Sequence, residues 1–377
     1  MGSNLSTASK VPVNLGKRSY DIVIGPGAID EVASTITSTV QTSHLVVVSD
    51  SNVAPIYLEK IQQQLSGSFD RIDSMVVPAG EPSKSVAQCD QLWQQMIQLK
   101  TDRKSAVVAL GGGVVGDLAG FLAASFTRGL PFVQIPTSLL AQVDSSVGGK
   151  VGINLPQAKN MVGAFWQPRS VIIDPLVLNT LDEANYRAGM AEVIKYGVIM
   201  DADFFQFLEA SVDQIKARDP DTLTKIIAQS CRCKAQVVEE DEQETTGRRA
   251  ILNYGHTYGH AIEAVFGYGK FLHGEAIAIG MTCAARLAKQ LGMVDQAFCD
   301  RQTKLFLDVG LPVECPDEKL DELMEAMTRD KKVSGGKLKL ILPTRMGHVE
   351  LIDAPDLNRF MPAGKTNEHR TGSRLFC

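Results

Sequence analysis

Apolar runs punctuate the first half of the chain, and amphipathic stretches separate them. SYDIVIG (19–25), HLVVVSD (44–50) and the run at 73–77 predict strands, while 86–99 repeats its apolar positions at helical spacing. A further strand opens SAVVALGGGVVGDLAGFLAASF (105–126) and passes through glycines into a helix of small apolar residues. FVQIP and SVIIDP add two more strands before residue 176. Strands that are apolar throughout, alternating with helices, predict a parallel sheet covered on both faces. From about Leu181 the pattern changes to long helical periodicities, with a late hairpin after DKKVSGGK. The expectation is an α/β domain over 1–181 and a mainly α-helical domain over 182–377, with a disordered polar leader at 1–10 and a mobile tail beyond Pro362.

The glycine turn carries the first candidate chemistry. Gly111, Gly113 and Gly116 satisfy G-x-G-x-x-G between a strand and a helix, which brings backbone and a helix N-terminus close to a phosphate. An acidic residue about twenty positions later is missing. Asp50, at the end of an earlier strand, is the better candidate for ribose hydroxyls. These features predict a dinucleotide site of a different topology, the plain alternative being a tight helix–sheet turn with no ligand. Thr137 and Ser138 follow FVQIP onto the same edge, and Glu81 and Lys84 lie on the loop PAGEPSK. SSVGGK reads as a flexible loop that carries Lys150, a phosphate anchor, shortly after Asp144.

The second half concentrates its chemistry in NYGHTYGHAIEAVFGYGKFLHG (253–274). It holds half of the six histidines: His256 and His260 share a helix face four residues apart, and His273 returns after a glycine break. Imidazoles so clustered beside Asn253 and Glu263 predict a first-row metal; polar helix residues satisfied by neighbours are the alternative. Thr257 follows His256, so HExxH is missing and a metalloprotease is not supported. Upstream, RAGMAEVIKYGVI places Glu192 and Lys195 three apart in an apolar run. A carboxylate there needs a partner, either a metal or an ion pair.

Composition narrows the field. A net charge of −5 argues against nucleic acid as the main partner, and no run of 18 apolar residues exists to span a membrane. Seven scattered cysteines read as free thiols in a reducing cytosol, which predicts a cytoplasmic protein. Basic side chains gathered on the glycine and histidine motifs of an acidic chain point to a small anionic substrate.

GGGVVGD, IPTSLLAQVDSSVGGK, KNMVGAF, AEVIKYG, LNYGHTYGHAIE and LHGEA, in this order, resemble the 3-dehydroquinate synthase family of sugar-phosphate cyclases over about residues 12–355. The resemblance implies a homodimer of two-domain chains: an α/β N-terminal nucleotide-binding domain and a mainly α-helical C-terminal metal-binding domain. It implies bound NAD and zinc or cobalt. The implied substrate is a phosphorylated sugar acid, 3-deoxy-D-arabino-heptulosonate 7-phosphate, converted to 3-dehydroquinate and phosphate by transient oxidation, phosphate elimination, re-reduction, ring opening and aldol closure.

Carried over by motif, Glu192, His256 and His273 resemble the metal ligands, which moves His260 to a substrate contact. Asp50, Asn52, Glu81, Lys84, Gly113, Val114, Asp117, Thr137, Ser138, Lys150, Lys159 and Thr180 resemble the NAD contacts. Asp144, Lys150, Asn160, Lys195, Lys234, Arg249 and Asn253 resemble the substrate contacts, and Arg128 an arginine that reaches a neighbouring subunit's phosphate pocket. Val151 and Ala158 depart from the family pattern. DEQETTGRR is one residue longer than usual; counting back from Asn253 selects Glu244 over Glu242 and Arg249 over Arg248. In the late loop Lys331 is a candidate of the same kind, with Lys332 beside it as the open alternative.

Overall fold

The computed structural model describes residues 9–267, 270–315, 319–329 and 338–355. Eleven strands are described: β1 (Ser9–Val13), β2 (Tyr20–Ile24), β3 (His44–Asp50), β4 (Arg71–Val77), β5 (Ser105–Gly111), β6 (Phe132–Pro136), β7 (Lys150–Leu155), β8 (Ala158–Phe165), β9 (Ser170–Ile173), β10 (Lys339–Arg345) and β11 (His348–Asp353). The helices are α1 (Val32–Thr39), α2 (Ala54–Leu65), α3 (Val86–Gln98), α4 (Gly113–Ser125), α5 (Glu183–Ile199), α6 (Ala202–Ala210), α7 (Val212–Lys216), α8 (Pro220–Glu240), α9 (His256–Phe266), α10 (His273–Gln290), α11 (Gln296–Asp308) and α12 (Leu320–Arg329).

The chain forms two compact units, Met1–Asp182 with Arg218–Thr245, and Glu183–Ala217 with Thr246–Cys377. This corrects the expected boundary. The break after Asp182 sits one residue from the change of pattern, but α8 returns to the first unit, where it packs on β1 and β2. Helical periodicity shows that α8 has an apolar face and not which sheet or bundle receives it.

In the first unit the sheet order is β1-β2-β9-β6-β5-β3-β4, parallel except for β1. Alternate residues of a strand point to opposite faces, and here both faces are covered. Val46, Val48, Val107 and Ala109 pack with α3 and α4, while Leu45, Val47, Ala106 and Val108 pack with α1 and α2. From β3 the chain steps outward to β4, then returns past β3 to β5. That reversal is the topological switch at which open α/β sheets hold ligands.

Two sequence expectations fail in this unit. The leader expected to be disordered over 1–10 contributes Ser9 and Lys10 to β1, held by antiparallel pairing with β2. The loop expected to be flexible around Lys150 leads straight into a hairpin, β7 with β8. Burial along β8 alternates with one slip, at Asn160 and Met161, and Val162 and Ala164 pack on the core.

The second unit is helical, with the β10–β11 hairpin as its described sheet. α5 is buried continuously from Ala188 to Ile199 and so has no polar face for Glu192 and Lys195 to occupy. Gly255, with φ +81, starts the close approach of α9 to α10, where a side chain would strike Met281. No helix among the described residues is long and apolar enough to cross a membrane. Six cysteines are described, all free and buried.

Candidate functional site

In the second unit, α5, α9 and α10 bring Glu192, His256 and His273 together, with one ligand atom of each within 4.8 Å of the others. Glu192 is 1% exposed. Lys195, one helical turn along and also buried, forms an ion pair with its Oε2. Neither oxygen has a hydrogen-bond partner, and Oε1 lies 3.7 Å from Nε2 of His256 and 3.9 Å from Nε2 of His273. A buried carboxylate oxygen left so is costly. A tetrahedral zinc ion bound at about 2.0–2.2 Å holds neighbouring ligand atoms roughly 3.5 Å apart, so this donor set fits a divalent cation.

Both imidazoles are turned for the task by their other nitrogens. Nδ1 of His256 lies 3.1 Å from the Tyr254 carbonyl, and Nδ1 of His273 lies 3.2 Å from Glu263 Oε2. Nδ1–H donation to these oxygens leaves each Nε2 lone pair facing Glu192. Burial, aided by Lys195, His273 and His260, holds the His256 pKa well below the usual histidine range, so its ring is neutral as a ligand must be. Burial lowers the His273 pKa too, but the Glu263 hydrogen bond and the Glu192 charge outweigh it and leave it raised. His260 is exposed on α9, its ring 5.3 Å from that of His256. A second convergent set contains it: His260, Glu263 and His273. Each set is completed by a carboxylate where the residue pattern alone pointed to a third imidazole.

Just before α9, a short turn over Arg248–Asn253 buries Arg249 and leaves Arg248 half-buried and Asn253 exposed. Lys331 and Lys332 lie outside the described residues.

In the first unit, Ser49 of β3 pairs with Leu110 of β5, which sets Asp50 beside the glycine turn although 61 residues separate their strands. An acidic side chain thus stands beside the glycine turn on the neighbouring strand. Asp50 Oδ1 accepts from the N–H groups of Asn52 and Val53 at 2.8 and 3.1 Å. α4 begins at Gly113 and Val114 without a side-chain cap, so its first N–H groups face outward. A side chain at Gly112 would meet Ser138 Oγ at 3.3 Å, and one at Gly116 would meet Gln134 at 2.9 Å. The first glycine therefore keeps the turn open and the last seats the helix on the sheet. Thr137 donates its N–H to Gly111 at 3.0 Å, tying β6 to the turn.

Lys84 is buried and central to this edge. Its Nζ donates to Asp117 Oδ2 and Asn160 Oδ1, each at 2.6 Å, with Glu81 Oε1 at 3.8 Å. Desolvation pushes the Asp117 carboxyl above the usual carboxylate range, against the pull of Lys84. Asn154, which no motif singled out, donates to Glu81 at 2.7 Å and accepts from the Asn160 N–H at 2.8 Å. It fixes Asn160 in a left-handed conformation, φ +55. Lys159 precedes it, half-buried. Thr180 shares a 2.7 Å hydrogen bond with Tyr57.

The remaining candidates of this unit form two ion pairs and a projecting arginine. Buried Lys234 bonds the Asp144 carboxylate at 2.8 Å and its carbonyl at 2.7 Å. Exposed Lys150 pairs with Glu244, while Glu242 is held by Arg18 and Gln167. Arg128 is exposed between Thr127 and Gly129, all three at positive φ.

Sequence reasoning left Glu263 without a role, although 256, 260 and 263 share one helix face and could have signalled it. Asn154 had no such signal.

Family comparison matches residues 74–188 to the 3-dehydroquinate synthase N-terminal model and 189–333 to the C-terminal model. A 3-dehydroquinate synthase of Rhodopirellula baltica is 50% identical over 352 residues, covering 92% of this chain and 94% of its own. One from Synechocystis is 46% identical over 350 residues, covering 92% and 97%. Among solved structures, a 2-deoxy-scyllo-inosose synthase complexed with carbaglucose-6-phosphate, NAD+ and Co2+ superposes with a TM-score of 0.82 at 27% identity, covering 92% of this chain and 96% of its own. A 2-epi-5-epi-valiolone synthase from Streptomyces hygroscopicus with NAD+ and Zn2+ bound gives 0.83 at 27%, covering 92% and 95%.

Proposed function

The chain belongs to the 3-dehydroquinate synthase family, and we propose that it converts 3-deoxy-D-arabino-heptulosonate 7-phosphate to 3-dehydroquinate and phosphate with NAD and a zinc or cobalt ion bound. The observation that carries this reading is Glu192 Oε1, buried, without a hydrogen bond, and faced by two imidazole nitrogens at 3.7 and 3.9 Å. When bound, NAD takes up and returns a hydride, and the divalent cation supplies Lewis-acid stabilisation of oxyanions.

The chain's own residues do the rest. Glu192, His256 and His273 hold the cation, and Lys195 neutralises the second Glu192 oxygen so that only one is offered. Asp50, Asn52, Thr137, Ser138 and Thr180, with the open turn at Gly113 and Val114, receive the dinucleotide, and Lys84 with Glu81, Asp117 and Lys159 stiffens that edge. Arg249, Asn253, Lys234 and Asn160 grip the carboxylate and hydroxyls, since a loosely held open-chain intermediate would close wrongly. Lys150 binds the phosphate, His260 is a substrate contact of the second unit, and Asp144 with Glu244 sets the lysines of the first unit that contact substrate.

We place the protein in the cytoplasm as a homodimer. Arg128, presented by three consecutive left-handed residues, reaches a second copy in this reading. Met161 and Phe165, 71% and 44% exposed on one face of β8, support an interaction surface.

Purified protein incubated with the heptulosonate phosphate, Zn2+ and catalytic NAD should release phosphate and dehydroquinate in equal amounts over many turnovers per NAD. Stoichiometric NADH without phosphate would overturn the reading in favour of a dehydrogenase. Turnover of sedoheptulose 7-phosphate alone would point to another cyclase, and no turnover at all to a silent NAD-binding protein.

A further inference from the structure

The Nδ1 side of His273 has geometry that the proposed reaction leaves unused. On that side stands Glu263, its Oε2 3.2 Å from Nδ1; His260 lies one turn before Glu263 on α9, its ring centroid 6.1 Å from that of His273. Ligand atoms of His260, Glu263 and His273 lie within 4.8 Å of one another. The span from Nδ1 to Oε2 is what two ligands of one zinc ion subtend at bond lengths of about 2.0–2.2 Å. His260 is exposed, so water can complete the coordination and a cation can enter from solvent.

We infer that His260, Glu263 and His273 form a second, weaker divalent-cation position that shares His273 with the first. The two nitrogens of the His273 ring point to different carboxylates, Nε2 to Glu192 and Nδ1 to Glu263. In the singly loaded protein a proton sits between Nδ1 and Glu263 and orients the ring. A second cation takes the place of that proton, which leaves to solvent, and His260 supplies the third ligand. The position is weaker because the cation must displace a proton from an imidazole already ligated through its other nitrogen. It also engages His260, which the proposed function gives to the substrate, so excess metal blocks substrate there.

The inference rests on the metal reading of Glu192, His256 and His273 only through their shared histidine, and the variants separate the two. Equilibrium dialysis of the full chain against Zn2+, from equimolar to large excess, should resolve one tight and one weak equivalent. His260→Ala, an exposed substitution, should weaken the second class by at least roughly tenfold and keep the first. His256→Ala should do the reverse, and His273→Ala should remove both. A weak class unchanged in His260→Ala, or its absence from the wild-type protein at excess Zn2+, would overturn the inference. A weak class that vanishes in His260→Ala supports it even if the tight class is missing, an outcome that would sink only the proposed function.

Discussion

Two polar clusters of this molecule are each built on a buried lysine, Lys84 or Lys195, and differ in how far their hydrogen bonds are satisfied. Around Lys84, the carboxylates of Glu81 and Asp117 and the amides of Asn154 and Asn160 bond one another within the cluster. Around Glu192, neither carboxylate oxygen has a hydrogen bond: Oε2 is ion-paired with Lys195 and Oε1 faces two imidazoles. The first cluster is complete in the protein alone and stiffens a loop against a hairpin. The second is complete only with a cation. An orphaned oxygen inside a helical unit thus marks a ligand, where a closed network marks a scaffold.

Removing the orphan should have the largest effect. Glu192→Gln or His256→Ala should abolish tight metal binding and lower kcat/KM by on the order of a thousandfold or more, since a Lewis acid supplies several kcal/mol. Both proteins should stay folded; full metal retention in either would count against the comparison. Breaking the closed network should instead cost stability. Lys84→Ala leaves the Asp117 carboxylate buried without its cation, and urea unfolding should show a loss of about 3–5 kcal/mol at neutral pH. The sign with pH is specific: Asp117 has a raised pKa, so its charged form is the unfavourable one and protonation relieves it. The deficit of Lys84→Ala should therefore shrink as pH falls through the raised Asp117 value; a pH-independent deficit would assign the loss to packing.

Glu263→Gln probes an orienting group, and should weaken the tight metal class by about 10–100-fold, read by competition with a chelator. Lys150→Ala should be milder, raising KM for the phosphorylated substrate by about tenfold with metal content unchanged, because the side chain is exposed and solvent screens its charge. An unchanged KM would remove Lys150 from phosphate binding.

Much of this was legible in the chain. The fully apolar strands and the glycine turn announced a covered parallel sheet, and the AEVIKYG and NYGHTYGH motifs named the residues that converge. What the pattern could not carry was pairing. The neighbour relation of β3 and β5, which sets Asp50 beside the glycines, is a property of sheet order. α8 has the amphipathic face of any helix, and nothing in its periodicity says that Cys231 and Lys234 meet the 142–144 turn. Asn154 works through hydrogen bonds to residues it does not resemble in spacing, and β8 has no fully buried residue to mark it as a strand. The imidazole cluster was visible as three histidines and Glu192 as a carboxylate in need of a partner, but the two lie some sixty residues apart, and only the family motif joined them.

Anomalous diffraction at the zinc edge from crystals of the full chain exposed to one equivalent of Zn2+ tests the central claim most directly. The account predicts a peak about 2.0–2.2 Å from Glu192 Oε1 and from Nε2 of both His256 and His273. A principal peak elsewhere, with those three atoms at their present spacing and no density between them, would contradict it.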